Sequence, residues 1–277
     1  MKWFFALSEA SLSADNLYAD CIRVAVISAK RNTTLTPCFL YDGGDNQFVQ
    51  EMRSCGVNVI HHRSALYDNI VSAKPGDRHY IRIASGAFLR LDIPIIEQSD
   101  RFVLYTDCDV MFQRDPDLTN LTPKYFSVAP EFTRGDYTNF NSGVMVMNVP
   151  EMLGIRQTFM QHITNSRISD LPAFDQGALR GFFKGLYDRL PETLNWKPYW
   201  GRNRDAAIIH FHGPKPPQAK ALMNNGGASL PKVLKDLYNR DPDAYRETVD
   251  VWYATLAAGT SRGTSGEAGT TSATTNA

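Results

Sequence analysis

The stretch Phe102-Val103-Leu104-Tyr105-Thr106-Asp107-Cys108-Asp109-Val110-Met111-Phe112 sets two carboxylates one residue apart between apolar runs. In an extended chain residues i and i+2 share a side, so Asp107 and Asp109 can converge on one point. Converging carboxylates repel unless a cation lies between them. Hard divalent ions such as magnesium or manganese take oxygen ligands and bridge to substrate phosphates. The blander alternative has one carboxylate capping a turn and the other exposed in a loop. The apolar run Phe102–Tyr105 favours the first, because burying it would fix where the carboxylates point.

Two further clusters carry the same kind of chemistry. AIIHFHGPKPP ends an apolar run with His210, His212, Gly213 and Lys215. A histidine at a strand end can complete a metal shell, and a nearby lysine can meet phosphate as a point charge. Gly213 would let backbone approach a ligand closely. Taken alone, the stretch reads better as a satisfied core histidine and a solvated lysine. In NFNSGVMVMN, Asn139, Asn141 and Ser142 precede an apolar run, and FDQGALRG places Asp175 and Gln176 at a helix start. Amides and carboxylates suit sugar hydroxyls, which both donate and accept. Asp175 could also be an ordinary helix cap; Gln176 has no such evident structural duty.

The elements that must position these residues alternate. Trp3–Leu7 reads as a strand, and a helix follows with Ser13 or Asp15 as its cap and Leu17, Cys21, Val24 and Ser28 at helical spacing. TPCFLYDGG, NQFVQEMRSCG and VNVIHH then read strand, helix, strand. This β-α-β-α-β order predicts an α/β fold with a mostly parallel sheet, whose ligands bind at the carboxyl ends of the strands. Residues 61–79 read as a ligand-facing loop, and YIRIASGAFLRLDIPII as helical up to Pro94. FVLYTD is the clearest central strand; SVAPEF, NSGVMVMNV and AIIHFHG are further strands. Met152–Asn165, Asp175–Gly181 and Pro231–Ala257 read as helices.

Composition sets the outer bounds. With 277 residues and 43% hydrophobic content, one large core and a tail are expected. Lysine plus arginine and aspartate plus glutamate both number 29, which argues against general nucleic-acid binding. The four cysteines form neither a C-x-x-C pair nor a dense framework, which suits reduced thiols and a cytoplasmic protein. The apolar run at the start, Trp3–Leu7, is too short for a secretion signal, and no segment approaches the roughly 18 apolar residues of a membrane span. Peripheral membrane contact stays open. Residues 258–277, rich in glycine, serine and threonine, are expected to be disordered.

The order of motifs resembles the family 8 glycosyltransferases, the retaining, nucleotide-sugar-dependent group that includes glycogenin and lipopolysaccharide galactosyltransferases. The resemblance spans about residues 1–220 and rests on FLRLDIPII, LYTDCDVMF, NFNSGVMVMN, FDQGAL, LPETLNW and HFHGPKP in the family's order, with Arg90 seventeen residues before Asp107. It implies a GT-A (Rossmann-like) catalytic domain over 1–220, a helical extension of the same domain over 221–257, and the tail from 258. It further implies a UDP-sugar donor and a manganese or magnesium ion held by Asp107, Asp109 and His210. Arg90, Cys108, Gly213 and Lys215 would face the donor, and Asn141, Ser142, Asp175 and Gln176 the transferred sugar, with Gln176 and Asp175 as the catalytic groups beside its anomeric carbon. Ala6 and Ser8 match uridine-contacting positions, and Tyr18 an aromatic that stacks on uracil. The acceptor would be a saccharide, a lipid-linked glycan or a protein. The sequence departs from the family at Ser8, where an aspartate is common, and after Lys215-Pro216, where a tryptophan is usual.

Two other readings compete. Haloacid-dehalogenase-type phosphohydrolases also carry D-x-D after an apolar strand, but near the N-terminus and with a later G-D-x-x-x-D, which the Gly-Asp pairs at 44–45, 76–77 and 135–136 do not supply. A non-catalytic UDP-sugar-binding homologue is the other; the metal-facing residues are all present, which favours an enzyme.

Overall fold

The long strands divide their side chains between two cores. In the computed structural model, which describes residues 1–14 and 16–263, the chain begins β1 (Lys2–Leu7), α1 (Glu9–Ala14), α2 (Leu17–Asn32), β2 (Thr36–Tyr41), α3 (Gln47–Ser54) and β3 (Asn58–His61). The three strands pair in parallel, as the β-α-β-α-β order requires. Trp3, Phe5, Leu7, Phe39 and Tyr41 bury into one core, whereas Phe4, Ala6, Cys38 and Leu40 bury into the other. A sheet covered on both faces needs continuous apolar runs, and that is why these strands do not alternate with polar residues. Each fully buried aromatic such as Phe5 contributes about 1.5–3 kcal/mol.

The middle of the chain is more regular than its sequence suggested. The stretch 61–79 is no open loop: it contains α4 (Tyr67–Ala73), anchored by Leu66 and Ile70, four apart and both buried. The expected cap on the first long helix is displaced. Ser13 lies inside α1, Asn16 precedes α2, and Asp15 is outside the described residues. Asp77 caps α5 (Arg78–Phe88), its carboxylate accepting from the Tyr80 amide at 2.9 Å. A 3-10 turn at Leu89–Asp92 leads into α6 (Ile93–Ile96), which accommodates Pro94 in its first turn, where no N–H is needed.

There follow β4 (Phe102–Thr106), β5 (Val110–Phe112), β6 (Phe126–Pro130), β7 (Phe140–Asn148), α7 (Val149–Asn165), α8 (Asp175–Phe183), β8 (Asp188–Arg189) and β9 (Ile208–His210). Seven strands form the main sheet in the order β3-β2-β1-β4-β7-β6-β8, with β7 antiparallel to both neighbours. β5 and β9 pair separately, antiparallel, with Val110 opposite His210. The carboxyl ends of β1, β4 and β6 and the amino end of the reversed β7 therefore meet at one end of the sheet.

The chain closes with α9 (Pro216–Asn225), α10 (Lys232–Tyr238) and α11 (Pro242–Gly263). These pack with α2 and β9 around a third core that includes Cys21, Val24, Phe211, Tyr245 and Trp252. The last helix runs six residues past the expected end at Ala257, because Leu256 and Gly259 continue its packing side toward Ile27 of α2. The boundary expected at 258 is thus corrected; the rest of the expected tail, 264–277, lies outside the described residues. Among the described residues no helix is long and apolar enough to cross a membrane.

Candidate active site

Between β4 and β5 the chain leaves the sheet, and Asp107, Cys108 and Asp109 turn at its end. Asp107 and Asp109 face His210 of β9, whose Nε2 lies 3.7 Å from Asp107 Oδ2 and 3.5 Å from Asp109 Oδ1. All three offer ligand atoms within 4.8 Å of one another. His210 Nδ1 donates to Asn195 Oδ1 at 2.9 Å, which leaves the Nε2 lone pair for the carboxylate side. Asn195 in turn donates to Asn141 Oδ1 at 3.1 Å. The pocket between the three ligands is cleared by a glycine. A Cβ at Gly143 would overlap His210 Cε1 and lie 2.6 Å from Asp107 Oδ2. Two carboxylate oxygens, a correctly tautomerised imidazole and this cleared space fit a hard or borderline divalent cation such as manganese or magnesium.

Lys215 approaches from the loop after β9, its Nζ 2.5 Å from Asp109 Oδ2 and 3.1 Å from the Phe211 carbonyl. Burial works to raise the Asp109 pKa, but Lys215 and His210 outweigh it and hold the carboxylate well below its ordinary range. Burial likewise disfavours the Lys215 charge, and Asp109 reverses that, so the ammonium stays protonated.

The opposite wall depends on an irregular strand pairing. Val128 pairs with Met145, but the next residue, Ala129, pairs with Asn141, so residues 142–144 bulge free of β6. The bulge releases the Ser142 amide to donate to Gln176 Oε1 at 2.8 Å, while the Asp107 amide donates to the Gly143 carbonyl at 2.7 Å. Arg90, 5% exposed, donates to Asp107 Oδ1 at 2.7 Å and the Ser142 carbonyl at 2.7 Å, and sits 3.2 Å from Asp175 Oδ2. Its guanidinium is thereby committed to organising the site. Burial, with a smaller push from Asp107, moves the Asp175 pKa up to about 6 against the pull of Arg90.

These residues surround a cavity of about 400 Å³. Of the residues singled out from sequence, Ala6, Tyr18, Arg90, Asp107, Cys108, Asp109, Asn141, Ser142, Asp175, Gln176, His210 and Lys215 line it. Ser8 does not. Its hydroxyl donates to the Arg82 carbonyl at 2.8 Å and so ties α1 to α5. Gly213 is also outside the lining; with φ +95° it makes the turn that carries Lys215 inward. Cys108 is a neutral wall residue: burial raises its thiol well above the ordinary range, and Sγ donates to the Ala6 carbonyl. Gln176 does have a structural duty, because its Nε2 donates to Glu131 Oε1 at 3.1 Å while its carbonyl accepts from β7.

Sequence reading missed Glu131, His212 as a wall residue, and Asn195. Glu131 is 7% exposed and lines the cavity. Burial works to raise its pKa, but His212, Arg180 and Gln176 together hold it down to about 2. A carboxylate ending the apolar run SVAPEF was the same signal that marked Asp107. Asn195 lay in LPETLNW without any feature of its own to distinguish it.

A profile described as "Glycosyl transferase family 8" matches residues 10–219. The chain belongs to glycosyl transferase family 8. It is 30% identical over 154 residues to a glycogenin of Neurospora crassa; the match takes in 56% of this chain and 21% of that protein, so the chain spans about a fifth of that relative. Among solved structures it is similar to the galactosyltransferase LgtC with donor and acceptor sugar analogues, at TM-score 0.59, 19% identity, 89% of this chain and 99% of that one. It is also similar to the glycosyltransferase GlyE of Streptococcus pneumoniae, at TM-score 0.58 and 18% identity over 91% of this chain and 64% of that one. Mouse xyloside xylosyltransferase 1 matches at TM-score 0.56 and 17% identity over 76% and 97%. These likenesses establish the GT-A fold, and the family makes the protein a glycosyltransferase. The phosphohydrolase alternative also loses its geometric basis, since among the described residues a histidine from β9, rather than a further aspartate, completes the carboxylate pair.

Proposed function

We propose that this glycosyltransferase is a retaining enzyme that moves a hexose or pentose from a UDP-sugar to a hydroxyl of a saccharide, lipid-linked or protein acceptor. The observation that carries the reading is the convergence of Asp107, Asp109 and His210 beside Lys215 in one cavity. Breaking the bond from the anomeric carbon to UDP leaves negative charge on the diphosphate, and no proton is needed there. When bound, a manganese or magnesium ion would offset part of that charge. Lys215 supplies a second positive charge from the same side. Tyr18 and Ala6 line the cavity, where they would meet the uracil. Asn141, Ser142, Asp175 and Gln176 face the sugar, whose hydroxyls match their mixed donors and acceptors. Glu131, kept ionised and held by three partners, is positioned to accept from the incoming hydroxyl. Retention rests on the family. A cytoplasmic setting is part of this reading, since the cysteine spacing suits reduced thiols.

A thermal-shift screen of UDP-glucose, UDP-galactose, UDP-xylose, UDP-N-acetylglucosamine and GDP- or TDP-sugars, with and without manganese, is the direct test. A UDP-sugar with manganese is expected to give the largest shift. Asp109→Ala is expected to abolish that shift and lower transfer by about a hundredfold or more. Undiminished transfer by the wild type in a chelator would sink the metal assignment.

A further inference from the structure

Tyr245 of α11 lies outside the family-matched region 10–219, yet it sits under the loop that carries Lys215. The residue is fully buried, and its hydroxyl is a buried polar atom with no hydrogen-bond partner. Leaving such a group unsatisfied is costly, so its retention calls for a state in which it is satisfied. A methyl built on Gly213 would lie 3.5 Å from the Tyr245 hydroxyl and 2.9 Å from Leu237 Cδ1. A buried donor without an acceptor thus lies against the loop that carries Lys215. The Lys215 ammonium is meanwhile held on Asp109, the residue a cation would claim.

We infer that Tyr245 is a positioning residue for the donor diphosphate: when Lys215 leaves Asp109 for the diphosphate, the His212–Lys215 loop shifts and the Tyr245 hydroxyl donates to one of its carbonyls. The inference rests on the reading that Lys215 meets a UDP-sugar. The test is calorimetric binding of UDP with manganese to wild type and Tyr245→Phe, paired with their melting temperatures and single-turnover rates. Removing only the hydroxyl is expected to leave the melting temperature unchanged or raised. UDP affinity should fall about three- to tenfold, with the rate at saturating donor within about twofold of wild type. Amide exchange on the wild type gives an independent readout, with residues 211–216 and 242–247 both expected to slow when UDP and manganese bind. Equal UDP affinity in the two proteins, or exchange in 242–247 that ignores UDP, would overturn the role of Tyr245 alone. Failure of the wild type to bind UDP would instead overturn the underlying reading and the inference with it.

Discussion

At the scale of single residues, the proposed divalent ion would compete with Lys215 for one carboxylate. With Nζ 2.5 Å from Asp109 Oδ2, the lysine must yield before Asp109 can ligate fully. Lys215→Met keeps an unbranched side chain one atom shorter and removes the charge. It is therefore expected to bind manganese about tenfold more tightly without nucleotide, since about 1.4 kcal/mol of competition disappears. The same variant should bind UDP more weakly. Manganese titration followed by electron paramagnetic resonance checks both, and unchanged or weaker metal binding would count against the exchange. Gln176 behaves differently. Because it satisfies the Ser142 amide and Glu131 together, Gln176→Ala should cost about 1–3 kcal/mol of stability as well as transfer. A wild-type urea midpoint with transfer lost would show that only its chemistry matters.

At the scale of elements, the sheet is held by small polar ties at strand ends, and one of these, at the end away from the site, is pH-sensitive. Glu97, after α6, accepts from Lys2 Nζ at 2.7 Å and from the amides of Ser99 and Asp100 at 2.7 and 2.8 Å, fastening the start of β1 to the turn before β4. Burial works to raise its pKa, but Lys2 and those amides bring it from the ordinary 4.5 down to about 2. A depressed folded pKa means that the stabilisation is present above the unfolded value and is lost as pH falls toward the folded one. The urea-midpoint gap between wild type and Glu97→Gln is therefore expected to be widest above about pH 5 and to narrow between 4.5 and 2. A gap that does not change with pH would assign the tie to packing. The bulge of β7 is the other tie, and it has no signature in NSGVMVMN beyond the glycine whose missing side chain clears the metal pocket.

At the scale of the whole molecule, α9–α11 close the third core over α2 and the Lys215 loop, so the C-terminal helices pack as one body with the site. Truncation after Ala257 removes the last turns of α11, including Gly259 against Ile27, and is expected to lower the melting temperature by a few degrees. An unchanged melting temperature would place the functional end of the chain at Ala257. The alternating apolar runs, the D-x-D and the order of the motifs were legible in the residues themselves, because periodicity and short spacing are local properties of a chain. Asp107, Asp109 and His210 could be named for that reason. The partners could not: Asn195 orients His210 from fifteen residues away, Glu131 reaches Gln176 across forty-five, and Ser8 turns from the cavity to bond Arg82. Which polar groups meet a ligand and which satisfy one another depends on how the sheet, the bulge and the helices pack, and that is decided only when distant segments compete for the same hydrogen bonds.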